Sequence, residues 1–419
     1  MARQGKQLDT IEVVIDDIAD NGDGLARFRK QSVLIPFTIP GERVRARIVN
    51  DQKNPVVAEG LELLEASADR VQPPCIHFGP CANCHWQHMN YEAQLALKTD
   101  ILLTQLERYG KFDADKLNFQ LAMPSPLEWH YRTRADFYPD ENGLLGYRTN
   151  DKRRAMSIEE CHLIRPELFA VYEDLNLDIE NLSHVRLQIG DGNDIMVILR
   201  TTDESIPELE IMSPVSVNFL LNDNVPINLL GKTHIVQTLL DVPLRVTAGT
   251  HFRANPEQHE QLLVEVVRRL PDGMPSVLDL YGGVGTFSAL VAPHASQVTY
   301  VESYPPAATD AEENLADFEH VDIVEGAVEN ILPDLVDAEM AYDVAIVDPP
   351  RSGISSAALQ SLVELNIPLI LYVSQEPETF AKDARSLVNQ HGYELTELIP
   401  FDFEPQTYYV QFLGVFKKS

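Results

Sequence analysis

Cysteine is scarce: there are four in 419 residues, and all fall into one spaced set, Cys75-x5-Cys81-x2-Cys84 with Cys161 downstream. No basic leader followed by an apolar core opens the chain. So few cysteines in that setting argue against a disulfide framework and for ligation of a metal or cluster. Long apolar runs are missing too, so no membrane span is expected and the cytoplasm is the expected compartment. Positive charge is also short, with 33 Lys+Arg against 64 Asp+Glu and a formal net charge of −31. Nucleic-acid binders rely on neutralising phosphates, so this total weighs against a broad basic surface. A local basic groove stays compatible with it, because salt confines fields to roughly 10 Å. Internal repeats, low-complexity tracts and long linkers are absent, which leaves two or three compact domains.

What is present sorts into three stretches. Residues 1–66 carry short alternating runs such as Ile11-Glu12-Val13-Val14-Ile15 and Val44-Arg45-Ala46-Arg47-Ile48, separated by Asn21-Gly22-Asp23-Gly24 and Pro40-Gly41-Glu42. This pattern predicts a small OB-like barrel, serving either as a spacer or as a nucleic-acid module. Residues 67–245 hold the cysteines, a helical run from Tyr91 to Tyr109, and strand-like runs including His184–Ile189 and Ile195–Leu199, an α+β arrangement. Residues 246–419 begin with a helix over Glu260 to Leu270 and then alternate buried strands with helices, an α/β doubly wound sheet.

Within the last stretch, Ser276-Val277-Leu278-Asp279-Leu280-Tyr281-Gly282-Gly283-Val284-Gly285-Thr286 is a buried strand breaking into a glycine-rich turn and a helix. Glycines admit a ligand close to the backbone, and the helix start offers free N–H groups. The next strand ends in Glu302, 17 residues after Gly285, where a carboxylate can hold ribose hydroxyls. A later strand ends in Asp348-Pro349-Pro350-Arg351. Together these features resemble a class I S-adenosylmethionine methyltransferase, with Tyr281, Gly283, Glu302 and Asp348 as the candidate cofactor contacts.

Around the cysteines, Gly79 and Pro80 bend the chain, and thiolates suit iron–sulfur clusters or zinc. Paired C-x-x-C knuckles are more usual for zinc, so three close cysteines plus Cys161 favour a [4Fe–4S] cluster. His77, His85 and His88 are alternative zinc ligands, more consistent with packing.

In this order the barrel, cysteine set, central region and methyltransferase fold resemble the RNA uracil-C5 methyltransferases, across nearly the whole chain. The resemblance implies a TRAM barrel and a monomer acting on rRNA or tRNA. It implies a [4Fe–4S] cluster on Cys75, Cys81, Cys84 and Cys161, and RNA contacts from Arg132, Arg134 and Arg148. S-adenosylmethionine contacts would come from Glu302, Asp348 and the Phe252-Arg253-Ala254-Asn255 stretch, although the family usually has Gln where Arg253 stands.

Uracil C5 is a poor nucleophile, so these enzymes add a thiolate at C6 and later remove the C5 proton with a base. In the stretch resembling Y-V-S-C-x-P, this chain has Tyr372-Val373-Ser374-Gln375-Glu376-Pro377. In the stretch resembling D-x-F-P-x-T-x-H-V-E, it has Asp402-Phe403-Glu404-Pro405-Gln406-Thr407-Tyr408-Tyr409-Val410-Gln411. Gln375 replaces the nucleophile and Gln411 the base, and an amide performs neither task. Adjacent Ser374 should point away from the site. The usual uracil-C5 route is therefore not expected. The alternatives are an acceptor needing no covalent step, such as a ring nitrogen or ribose hydroxyl, or an inactive paralogue that binds RNA, cofactor or a protein.

Overall fold

The computed structural model describes residues 10–50, 54–113, 117–175, 177–207 and 214–418. Five strands, β1 (Thr10–Ile18), β2 (Gly24–Phe28), β3 (Gln31–Ile35), β4 (Arg43–Asn50) and β5 (Val56–Glu65), close a barrel in the order β1-β2-β3-β5-β4. Alternation turns Ile11, Val13, Ile15, Val33, Ile35 and Val44 inward as its core. On the outer face of β4, Arg43 pairs with Glu65, Arg45 with Glu12 and Glu62, and Arg47 with Glu59. That basic row is neutralised by its own sheet.

The central sheet orders its strands β12-β11-β10-β9-β6-β7-β8. These are β6 (Arg134–Pro139), β7 (Leu145–Arg148), β8 (Ala155–Met156), β9 (Leu182–Ile189), β10 (Ile195–Thr201), β11 (Ser216–Leu220) and β12 (Pro226–Leu230). A separate ribbon, β13 (His234–Leu239) with β14 (Val242–Thr247), leads into the last sheet. The helix expected from Tyr91 to Tyr109 runs over Tyr91–Gln105 and widens to a π turn over Leu106–Gly110, with Asn90 as its N-cap.

The last sheet comprises β15 (Ser276–Leu280), β16 (Gln297–Glu302), β17 (Val321–Glu325), β18 (Val344–Val347), β19 (Leu369–Ser374), β20 (Tyr393–Phe401) and β21 (Gln411–Lys418). Its order is β17-β16-β15-β18-β19-β21-β20, parallel except where β21 inserts antiparallel between β19 and β20. Strands β18 and β19 are buried at every position, as expected for apolar runs covered on both faces. The strand order reverses at β15, so a crevice opens at the carboxyl ends there. Because β21 is antiparallel, its first residue, Gln411, lies at that same edge. Among the described residues, no helix is long and apolar enough to cross a membrane.

Candidate active site

The crevice is a cavity of about 1000 Å³. Tyr281, Gly283, Glu302, Asp348, Arg253, Gln375, Gln411, Arg132, Arg134 and Arg148 all line it, although they come from distant parts of the chain. The structure thus brings every candidate cofactor, RNA and chemistry position into one space.

The glycine-rich turn is built by close approach. Gly283 has φ +58°, with open space where a side chain would stand, and Gly285 has φ +81°. Glu302 accepts the Gly283 N–H at 3.0 Å through one carboxylate oxygen and the Ser303 and Tyr304 N–H groups through the other. A Cβ on Gly282 would lie 2.2 Å from the Tyr300 ring, whose hydroxyl donates to Gly283 O. Gly282→Ala is therefore expected to cost about 1–3 kcal/mol of stability, read as a lowered unfolding midpoint. Beneath the turn, Asp279 is fully buried and accepts from the Ser288 N–H and hydroxyl. Burial pushes its carboxyl up to about 7.

On the opposite wall, the register pairing Ser374 with Phe412 sets Gln375 and Gln411 side by side. The Ser374 hydroxyl is buried and accepts the Glu376 N–H at 3.1 Å, and it is not part of the cavity wall. Arg253 joins the two walls. Its Nε donates to Gln411 Oε1 at 3.0 Å and its Nη2 to Asp348 Oδ1 at 2.9 Å, while its guanidinium lies over the rings of Phe403 and Phe287. The tie explains why an arginine fits here. Beside a glutamate it would form a second salt bridge, and beside Gln411 it leaves Asp348 as its one carboxylate partner.

The arginines are less free than their sequence suggests. Arg132 pairs with Glu404 at 3.0 Å, Arg134 donates to the Phe252 carbonyl, and Arg148 lies over Tyr138. Arg351, which the sequence did not single out, lies over Tyr409 on the same wall. His251 was missed as well. It is open to the cavity yet enclosed by its walls. That enclosure, followed by the charges of Arg134, Arg253, Arg186 and Arg351, pushes its imidazole down to about 3. The only sequence signal for His251 was its place next to Phe252, and for Arg351 its place after Asp348-Pro349-Pro350.

The four cysteines are unbonded to one another and line one small cavity with His77, Tyr147 and His162. Burial pushes the thiol of Cys75 up, that of Cys81 up to about 11, and that of Cys84 up. Such thiols ionise only with a cation beside them, so the donor set suits a metal-bearing group. Among the described residues, no three His, Cys, Asp or Glu side chains are placed to hold a single ion.

The cysteine segment also braces the active-site wall. The His85 and Trp86 N–H groups both donate to Gln406 O, Gln94 exchanges two hydrogen bonds with Gln406, and Tyr131 OH donates to Pro405 O. Buried Lys98 pairs with buried Asp402 and donates to Glu404 O.

Residues 11–68 match the TRAM domain of tRNA (uracil(54)-C(5))-methyltransferase, and residues 242–418 match tRNA (Uracil-5-)-methyltransferase. An uncharacterized RNA methyltransferase of Halalkalibacterium halodurans is 30% identical over 446 residues, covering 97% of this chain and 96% of the relative. One from a Synechocystis species is 27% identical, covering 98% and 96%. The crystal structure of Pyrococcus abyssi tRNA (uracil-54, C5)-methyltransferase with S-adenosyl-L-homocysteine superposes with a TM-score of 0.75 at 25% identity, covering 97% of this chain and 99% of that one.

Proposed function

The chain belongs to the tRNA (uracil-5-)-methyltransferase family, whose members use S-adenosylmethionine and act on RNA, and from that premise we propose that it methylates RNA without the covalent uracil step. The observation that carries this reading is the placement of Gln375 and Gln411 side by side in the cavity, with Arg253 tying Gln411 to Asp348. When bound, S-adenosylmethionine supplies an electrophilic methyl group. In this reading Tyr281 and Gly283 seat the nucleoside, Glu302 takes its ribose hydroxyls, and Asp348 and Arg253 border the methyl group. Arg132, Arg134 and Arg148 line the entry for rRNA or tRNA phosphates. Cys75, Cys81, Cys84 and Cys161 would hold a [4Fe–4S] cluster, which keeps their buried thiols ionised and the brace on Gln406 in place. The functional units are residues 1–66, 67–245 and 246–419.

The test is transfer of labelled methyl to RNA from the protein's own host. Label in RNA is expected, reduced about ten- to hundredfold by Glu302→Ala, the loss of one or two hydrogen bonds to a charged group. No label despite bound cofactor would favour the inactive paralogue, for which the two amides and the Arg253 tie are the motivation.

A further inference from the structure

We propose, resting on the methyltransferase reading above, that the acceptor atom is a neutral ring nitrogen with an in-plane lone pair, such as cytosine N3, guanine N7 or adenine N1. The carboxylates that line the cavity are already engaged, apart from Glu329 on the side of the glycine-rich turn. The Asp348 carboxylate is ion-paired with Arg253 through Oδ1, and the Gln411 carbonyl oxygen accepts from the same guanidinium. Glu404 is paired with Arg132. Asp136 is paired with Arg186; burial alone would raise its carboxyl, but His184 and Arg186 hold it below the usual carboxylate range. Glu302 receives three backbone N–H groups. Glu329 lies on the side of the glycine-rich turn, where its charge acts on Tyr281. Of the three cavity histidines, His251 stands among four arginines, His259 is buried against Phe252, Phe287 and Phe403 with neither ring nitrogen hydrogen-bonded, and His85 is packed against the rings of Tyr408 and Tyr409.

A site so engaged is poorly suited to an acceptor that must first lose a proton. Uracil C5 needs both a thiolate and a base, a ribose hydroxyl needs a base, and guanine N1 carries a proton at neutral pH. A ring nitrogen with an in-plane lone pair needs neither. The lone pair forms the new N–C bond, the C–S bond breaks with its electron pair returning to sulfur, and the positive charge passes from sulfur to the base. No proton moves. Because the Gln411 carbonyl faces Arg253, its NH2 is left as a donor beside the Gln375 amide and Arg351. Donors suit a nitrogen flanked by a carbonyl, which ranks cytosine N3 and guanine N7 ahead of adenine N1.

The experiment incubates the full-length protein with methyl-labelled S-adenosylmethionine and host RNA, then identifies the labelled nucleoside by mass spectrometry after digestion. Initial rates are measured from pH 6.5 to 8.5. The expected product is a nucleoside methylated at a ring nitrogen and cationic as formed, at a rate varying by less than about threefold across that range. Label in 5-methyluridine, a 2′-O-methyl nucleoside or 1-methylguanosine would overturn the inference and leave the methyltransferase reading intact. A rate rising about tenfold per pH unit would also overturn it, by revealing a base. No label in any nucleoside with cofactor bound would overturn both.

Discussion

RNA carrying 5-fluorouridine is expected to form no denaturation-stable adduct with the native protein, and Gln375→Cys is expected to form one. Fluorine at C5 cannot leave as a proton would, so an enzyme that adds a thiolate at C6 is trapped on its substrate. Here the position holds an amide, and Ser374 is turned into the Glu376 backbone. Losing a nucleophile removes on the order of 10⁴- to 10⁶-fold in rate, so native adduct should fall below detection. The base acts only after addition, so Gln375→Cys needs no second change to be trapped. Turnover on ordinary uridine is a stricter demand. A glutamate introduced by Gln411→Glu would meet the Arg253 guanidinium, which already holds Asp348 at 2.9 Å. Formation of 5-methyluridine is therefore expected only from Gln375→Cys/Gln411→Glu/Arg253→Gln, with the two-residue variant at least about tenfold slower because its carboxylate is held ionised and occupied. An adduct with the native protein, or none with a folded, cofactor-binding Gln375→Cys, would contradict this.

Lys98→Met is expected to destabilise the protein by about 3–5 kcal/mol, the usual cost of leaving one partner of a buried ion pair alone. Lys98 and Asp402 are both fully buried, and they join the helix Tyr91–Gln105 to the stretch that carries Glu404 and Gln411. Burial pushes Lys98 below its ordinary value and Asp402 above its own, and their attraction opposes both shifts. Without the ammonium, Asp402 keeps only the Glu404 N–H at 3.2 Å and Tyr91. Lys98→Met/Asp402→Asn removes the orphaned charge and should recover a large part of the loss. Urea unfolding midpoints of the two variants measure this, and a single variant within about 1 kcal/mol of native would refute it.

Much of the fold was legible because its signals are local. The apolar runs of β15, β18 and β19 had to be buried on both faces. The glycine-rich turn, Glu302 and Asp348 follow directly from strand ends, and in a parallel sheet such ends share one edge. Gln375 and Gln411 were legible through their flanking residues, and their adjacency follows from the antiparallel insertion of β21. The bridge by Arg253 was not legible, because its partners lie 95 and 158 residues away and depend on how far a guanidinium reaches. Nor could the sequence reveal that Arg43, Arg45 and Arg47 spend their charge on neighbouring strands. The number of arginines suggests phosphate binding, and only their partners show which remain available. His251 escaped notice because nothing in its local sequence separates a cavity imidazole from a packed one.

Whether the cavity takes the methyl donor alongside Gln375 and Gln411 is tested most directly by calorimetric titration of S-adenosylmethionine into the purified full-length protein. One site per chain is expected, weakened about ten- to hundredfold by Glu302→Ala. A native protein that releases or absorbs no heat of binding, while its unfolding midpoint is unmoved by the same ligand, would contradict it.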